Sequence, residues 1–107
     1  MLIGAMVRRL NDGVDYATFR DAWLPDERFE GDPRRVLSAI DLADPQQLLT
    51  IAMIDATPEE IPGWVARIGA SERRRAERIR GLVGPWQLDA TYRVVGDDDL
   101  AAGAIAR

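Results

Sequence analysis

The sequence predicts an α+β domain of four antiparallel strands and two helices, ordered strand, helix, strand, strand, helix, strand. Three observations carry that prediction. Leu2–Leu10 (LIGAMVRRL) is a short run rich in branched apolar residues; Tyr16, Phe19 and Trp23 recur at helical spacing; and Asp44-Pro45 separates two strand-like segments.

In the first strand both alternate faces, Leu2/Met6/Leu10 and Ile3/Ala5/Val7, are apolar, so it requires cover on both sides. Asn11-Asp12-Gly13 supplies a turn, with Asp12 expected to cap the first helix and Asp15 to sit in its first turn, where an anion suits the helix dipole. Pro25 ends that helix near Leu24 by disfavouring helical geometry before it. The polar stretch 26–33 (DERFEGDP) reads as a loop. Residues 35–42 (RVLSAIDL) alternate, Asp44-Pro45 turns the chain, and 48–54 (LLTIAMI) returns as a nearly all-apolar strand, which makes an antiparallel hairpin.

Thr57-Pro58-Glu59-Glu60 is a helix start with a Thr cap, a Pro at the first position and a Glu closing a capping box. Ile61, Trp64, Val65 and Ile68 follow as an apolar stripe, with Pro62 marking an alternative start. Gly69-Ala70-Ser71 is expected to break or kink this helix before a charged second part, 72–80. Residues 86–95 (WQLDATYRVV) alternate strictly, placing Trp86, Leu88, Ala90, Tyr92 and Val94 on one face of the last strand. The domain is thus expected to span 1–96. An acidic, then Ala/Gly-rich tail covers 97–107, either frayed or a short helix capped by Asp97.

This order is the split βαβ, or ferredoxin-like, arrangement, a four-stranded antiparallel sheet with both helices on one face. The opposite sheet face would then expose the apolar sides of the first and third strands, and a second copy of the chain is the simplest cover. A homodimer through that face is the expected assembly.

Composition narrows the chemistry. At 107 residues, 47% apolar and 30% charged, the chain matches an ordinary globular domain. It has no cysteine, no histidine and no lysine, all 14 cationic side chains being arginine. Histidine-dependent triads, lysine Schiff bases, thiolate nucleophiles and imidazole or thiolate metal sites are therefore excluded. Residues 1–7 are too short an apolar run for a signal-peptide core, and no stretch nears the roughly 20 residues of a membrane span, so a cytoplasmic location without membrane association is expected.

The element order, the helix 15–24 (DYATFRDAWL) with its Phe-x-x-x-Trp, and the Asp44-Pro45 turn before an apolar strand resemble the dimeric α+β barrel superfamily, in particular its antibiotic-biosynthesis-monooxygenase-like branch. The resemblance spans residues 1–96. It implies a ligand held in a cleft between helices and sheet, and, for some members, a cofactor-independent monooxygenase reaction in which the substrate itself activates oxygen. Haem-degrading relatives use a histidine on the second helix and a tryptophan on the strand before it. This chain has neither, so no haem and no other cofactor is expected.

Trp23, Trp64, Trp86 and Tyr92 are the candidate walls of an apolar slot under the helices, Tyr92 also offering a hydrogen bond to a hydrophobic small molecule. The plainer reading is that each is simply a core ring that finds one hydrogen bond. Asn11, the only asparagine, is a candidate ligand contact, although Asn before Asp-Gly also suits turn chemistry. No catalytic residue can be named, and no metal site is expected, since Asp97-Asp98-Asp99 lacks the spacing of a calcium loop. The arginines at 73, 74, 75, 78 and 80 suggest a nucleic-acid surface, but the formal charge of −4 and the absence of aromatics on the first and third strands oppose it. The competing function is a non-catalytic structural or interaction homodimer with a filled interior.

Overall fold

A computed structural model describes residues 1–101 and contains β1 (Leu2–Leu10), α1 (Tyr16–Trp23), β2 (Arg34–Ile40), β3 (Gln47–Ile54), a 3₁₀ turn (Pro58–Glu60), α2 (Ile61–Ile79) and β4 (Val83–Arg93). The four strands form one antiparallel sheet in the order β2-β3-β1-β4. With two helices and this strand order, the chain has a small α+β fold compatible with the ferredoxin-like arrangement.

Local chemistry explains the element boundaries. Asp15, not Asp12, caps α1: its Oδ1 accepts from the Thr18 amide at 2.8 Å, which holds the Asp15 carboxyl below its ordinary range. Leu24 leaves helical geometry ahead of Pro25, as anticipated. Glu60 Oε1 accepts from the amide and hydroxyl of Thr57, both at 3.0 Å, so the expected capping box closes the 3₁₀ turn that runs directly into α2. Pro62 falls at the start of α2, where its missing N–H removes no hydrogen bond.

The expected break at Gly69-Ala70-Ser71 does not occur, and α2 runs unbroken through it. A Cβ on Gly69 would meet only the flexible tip of Arg73, and Ser71 is small enough to be almost wholly buried against the body of the fold. Residues 97–101 form no helix, and the remainder of the predicted tail lies outside the described residues.

Because directly paired residues in an antiparallel ladder share a face, the register sorts the sheet into two sides. Leu2, Gly4, Met6, Arg8 and Leu10 of β1, Leu48, Thr50 and Ala52 of β3, and Arg34 and Val36 of β2 lie toward the helices. Ile3, Ala5, Val7, Leu37, Ala39, Leu49, Ile51 and Met53 lie on the other side, which carries no helix.

A shift in the β1–β4 register pairs Val7 with Leu88 but Arg8 with Trp86, leaving Gln87 as an extra residue. This bulge corrects the expected alternation, since Trp86 turns toward the helices while Leu88, Ala90 and Tyr92 face the open side. The tightest packing, among Leu10, Phe19, Leu48, Ile79 and Val83, gathers where both helices meet the sheet, with Trp23, Ile40 and Leu82 against it.

Candidate functional site

Beside that core the helices and sheet do not close completely. A cleft of about 360 Å³ is lined by Met6, Val36, Thr50 and Ala52 from the sheet, Trp23 at the end of α1, and Ile68, Glu72 and Arg75 from α2. A smaller hollow of about 120 Å³ shares Met6, Trp23, Thr50, Glu72 and Arg75 with it, and extends to Arg8, Phe19 and Trp86. The space is thus apolar along its floor, aromatic at one end and polar at its helical wall.

The polar wall follows from the continuity of α2. Trp64, Ile68, Glu72, Arg75 and Ile79 recur at intervals of three or four, so they share one helix face toward the sheet. Glu72 is the hub: Arg34 Nη1 donates to its Oε1 at 2.6 Å, and Arg75 donates to its Oε2. Arg34 in turn grips Asp32 through Nε and Nη2 at 2.9 and 2.7 Å, a pairing that pulls the Asp32 carboxyl below its usual range and raises the Arg34 guanidinium above its own.

Two arginines at the aromatic end are held differently. Arg75 lies over the Trp23 ring at 5.0 Å, and burial pulls its guanidinium below the ordinary value. Arg8 lies over Trp86 at 3.8 Å, donates from Nε and Nη2 to the Gly84 carbonyl at 3.1 and 3.0 Å, and is likewise lowered by burial.

Of the residues singled out from the sequence, Trp23 and Trp86 come together at this cleft. Trp64 is half-buried further along α2, with Arg67 over its ring at 4.9 Å. Tyr92 lies on the open sheet face at 49% exposure, not under the helices, because the bulge reverses it relative to Trp86. Asn11 donates to the Gly81 carbonyl at 2.9 Å beside a separate open hollow, a role in holding the turn. The sequence pattern does not single out Thr50, Arg34, Glu72, Arg75 or Arg8, which line the same space. The i, i+3 spacing of Glu72 and Arg75, continued from Ile68, is the signal that points them inward once α2 is read as one helix.

Two further arginines of α2 are used within the fold. Arg74 pairs with Asp26 and Glu27, and Arg78 donates to the Ala22 and Leu24 carbonyls, both at 2.9 Å, so together they fasten the exposed end of α1 and its following loop. No group of three or more acidic or metal-ligating side chains is placed to hold a metal ion among the described residues, and no helix there is long and apolar enough to cross a membrane.

Fold and cleft together define the class: a small α+β protein with a four-stranded antiparallel sheet and a helix-roofed cleft. No protein-family model, curated protein or solved structure matches the chain.

Proposed function

We propose that the protein is a homodimer joined through its open sheet face, as in dimeric α+β barrels, and that each protomer holds a hydrophobic or aromatic small molecule in the cleft between helices and sheet. The cleft itself carries this reading, since its volume falls in the range of small-molecule sites and it combines an apolar floor with a few inward-turned polar groups. The homodimer accounts for Leu37, Leu49, Leu88 and Tyr92, which stand on the open face at 53%, 38%, 37% and 49% exposure, in the same ladder rows as Ile51, Val7 and Ile3. A second copy supplies the same apolar surface in return.

Catalysis here would have to draw its reactivity from the substrate, because the cleft offers arginines, a paired glutamate and a threonine but no nucleophile held by a base. That suits a cofactor-independent monooxygenase of the antibiotic-biosynthesis type. A structural homodimer with a filled interior finds less support in a fold whose cleft stays open between Trp23 and Val36.

Isothermal titration with 2-naphthol tests the reading. The wild type should bind it, and Val36→Trp, which fills the cleft, should weaken binding by at least about tenfold, or about 1.4 kcal/mol. An absence of binding to the wild type, or equal affinity in both proteins, would overturn it.

A further inference from the structure

We infer that the cleft selects an anionic ligand, an aromatic body bearing a carboxylate or a similar oxyanion that docks between Arg8 and Arg75; this rests on the binding reading above. Three guanidiniums, of Arg8, Arg34 and Arg75, and two carboxylates, of Asp32 and Glu72, line the cleft and its smaller extension; a third carboxylate, Asp89, stands on the same sheet face opposite Met6 and acts on Arg8 from a distance, with no hydrogen bond to it among the described residues.

The carboxylates are not shared evenly among the arginines. Asp32 spends both oxygens on Arg34, and Glu72 spends one on Arg34 and one on Arg75. Arg34 is thereby matched. A guanidinium has five N–H donors. Among the described residues Arg75 places one of them on a protein acceptor, and Arg8 places Nε and Nη2 on a single carbonyl, with its Nη1 unengaged.

Both guanidiniums lie over a tryptophan ring, Arg75 on Trp23 and Arg8 on Trp86. A guanidinium held over a ring can still offer its N–H groups to an acceptor, and its planar fork suits a carboxylate. Both also line the smaller hollow, whose walls include Phe19, Trp23 and Trp86, so an aromatic ring and its anionic group find their partners within one space. Partial burial of the two arginines strengthens attraction to an anion by lowering the local dielectric.

The test compares three probes of one shape by isothermal titration: 2-naphthoate, neutral 2-naphthamide and cationic 2-naphthylmethylammonium. The expected result is 2-naphthoate binding at least about tenfold tighter than the amide, with the ammonium weakest. Arg75→Met and Arg8→Gln should each remove about tenfold from 2-naphthoate while leaving the amide within about twofold. Thermal unfolding shows whether each variant folds; should Arg75→Met fail to, Arg8→Gln decides.

Equal affinity for all three probes, still sensitive to Val36→Trp, overturns the anion preference and leaves cleft binding intact. Failure of every probe to bind overturns both.

Discussion

Replacing Ile51 by Asp should separate the proposed dimer without unfolding its protomers. Ile51 lies in the middle of the open face, paired with Ala5 on one side and Leu37 on the other, and is half-buried even in the single chain. In a two-fold interface each copy would bury one new carboxylate among these apolar side chains. An unpaired charge left buried costs about 3–5 kcal/mol, and symmetry doubles it, so association should weaken by roughly 6 kcal/mol or more, about ten-thousandfold. In the monomer the same carboxylate reaches water, and the packing of Leu10, Phe19, Leu48, Ile79 and Val83 lies on the other side of the sheet. Sedimentation equilibrium at micromolar concentration should give a dimer for the wild type and a monomer for Ile51→Asp, with circular dichroism showing that the variant stays folded. A monomeric wild type, or a variant that associates as tightly, would refute the assignment of this face.

Other perturbations separate the parts of the fold. Leu48 has no exposed surface, so Leu48→Ala should cost about 2–5 kcal/mol in urea unfolding. Arg78→Met removes the charged donor to the Ala22 and Leu24 carbonyls; because Arg78 is about a third exposed, the expected loss is about 1 kcal/mol, seen as a lower thermal midpoint. Asp32 is held below its ordinary carboxylate value chiefly by its hydrogen bonds from Arg34, so its stabilisation is complete above the unfolded value near about pH 4 and is lost as pH falls through the folded one. Thermal midpoints should therefore decline below about pH 4, and Asp32→Asn should lower the neutral midpoint while making that acid decline shallower.

Much of the architecture was legible because its signals are local. The aromatic stripe of α1, the Asp44-Pro45 hairpin and the Thr57–Glu60 capping box each depend on residues within one or two turns of each other, and each forms where expected. The two-sided apolar character of β1 also pointed to an uncovered sheet face. Two long-range features were not legible. Gly69 and Ser71 resemble a helix break in isolation, and only the packing of Ser71 against the body shows that α2 continues. The bulge at Gln87 depends on how β4 registers against β1, and no pattern within β4 announces it.

The candidate site was obscured by the same two features. With α2 read as broken, Glu72 and Arg75 belonged to a solvated charged segment instead of the wall of a cleft. With β4 read as regular, Trp86 and Tyr92 shared a face. Arg34 reaches Glu72 across 38 residues of chain, a pairing that no short-range spacing encodes. Trp23 ends the aromatic face of α1, packs against the core and lines the cleft.

Chemical-shift mapping locates the bound molecule, because the protein presents two apolar surfaces and only one is proposed to hold a ligand. Titration of the ¹⁵N-labelled protein with 2-naphthol should shift the amides of Met6, Thr50, Ile68 and Glu72 and the indole N–H of Trp23, with Leu37, Leu49 and Leu88 unmoved. Shifts confined to Leu37, Leu49 and Leu88 would contradict that proposal, placing apolar molecules on the open sheet instead of beneath the helices.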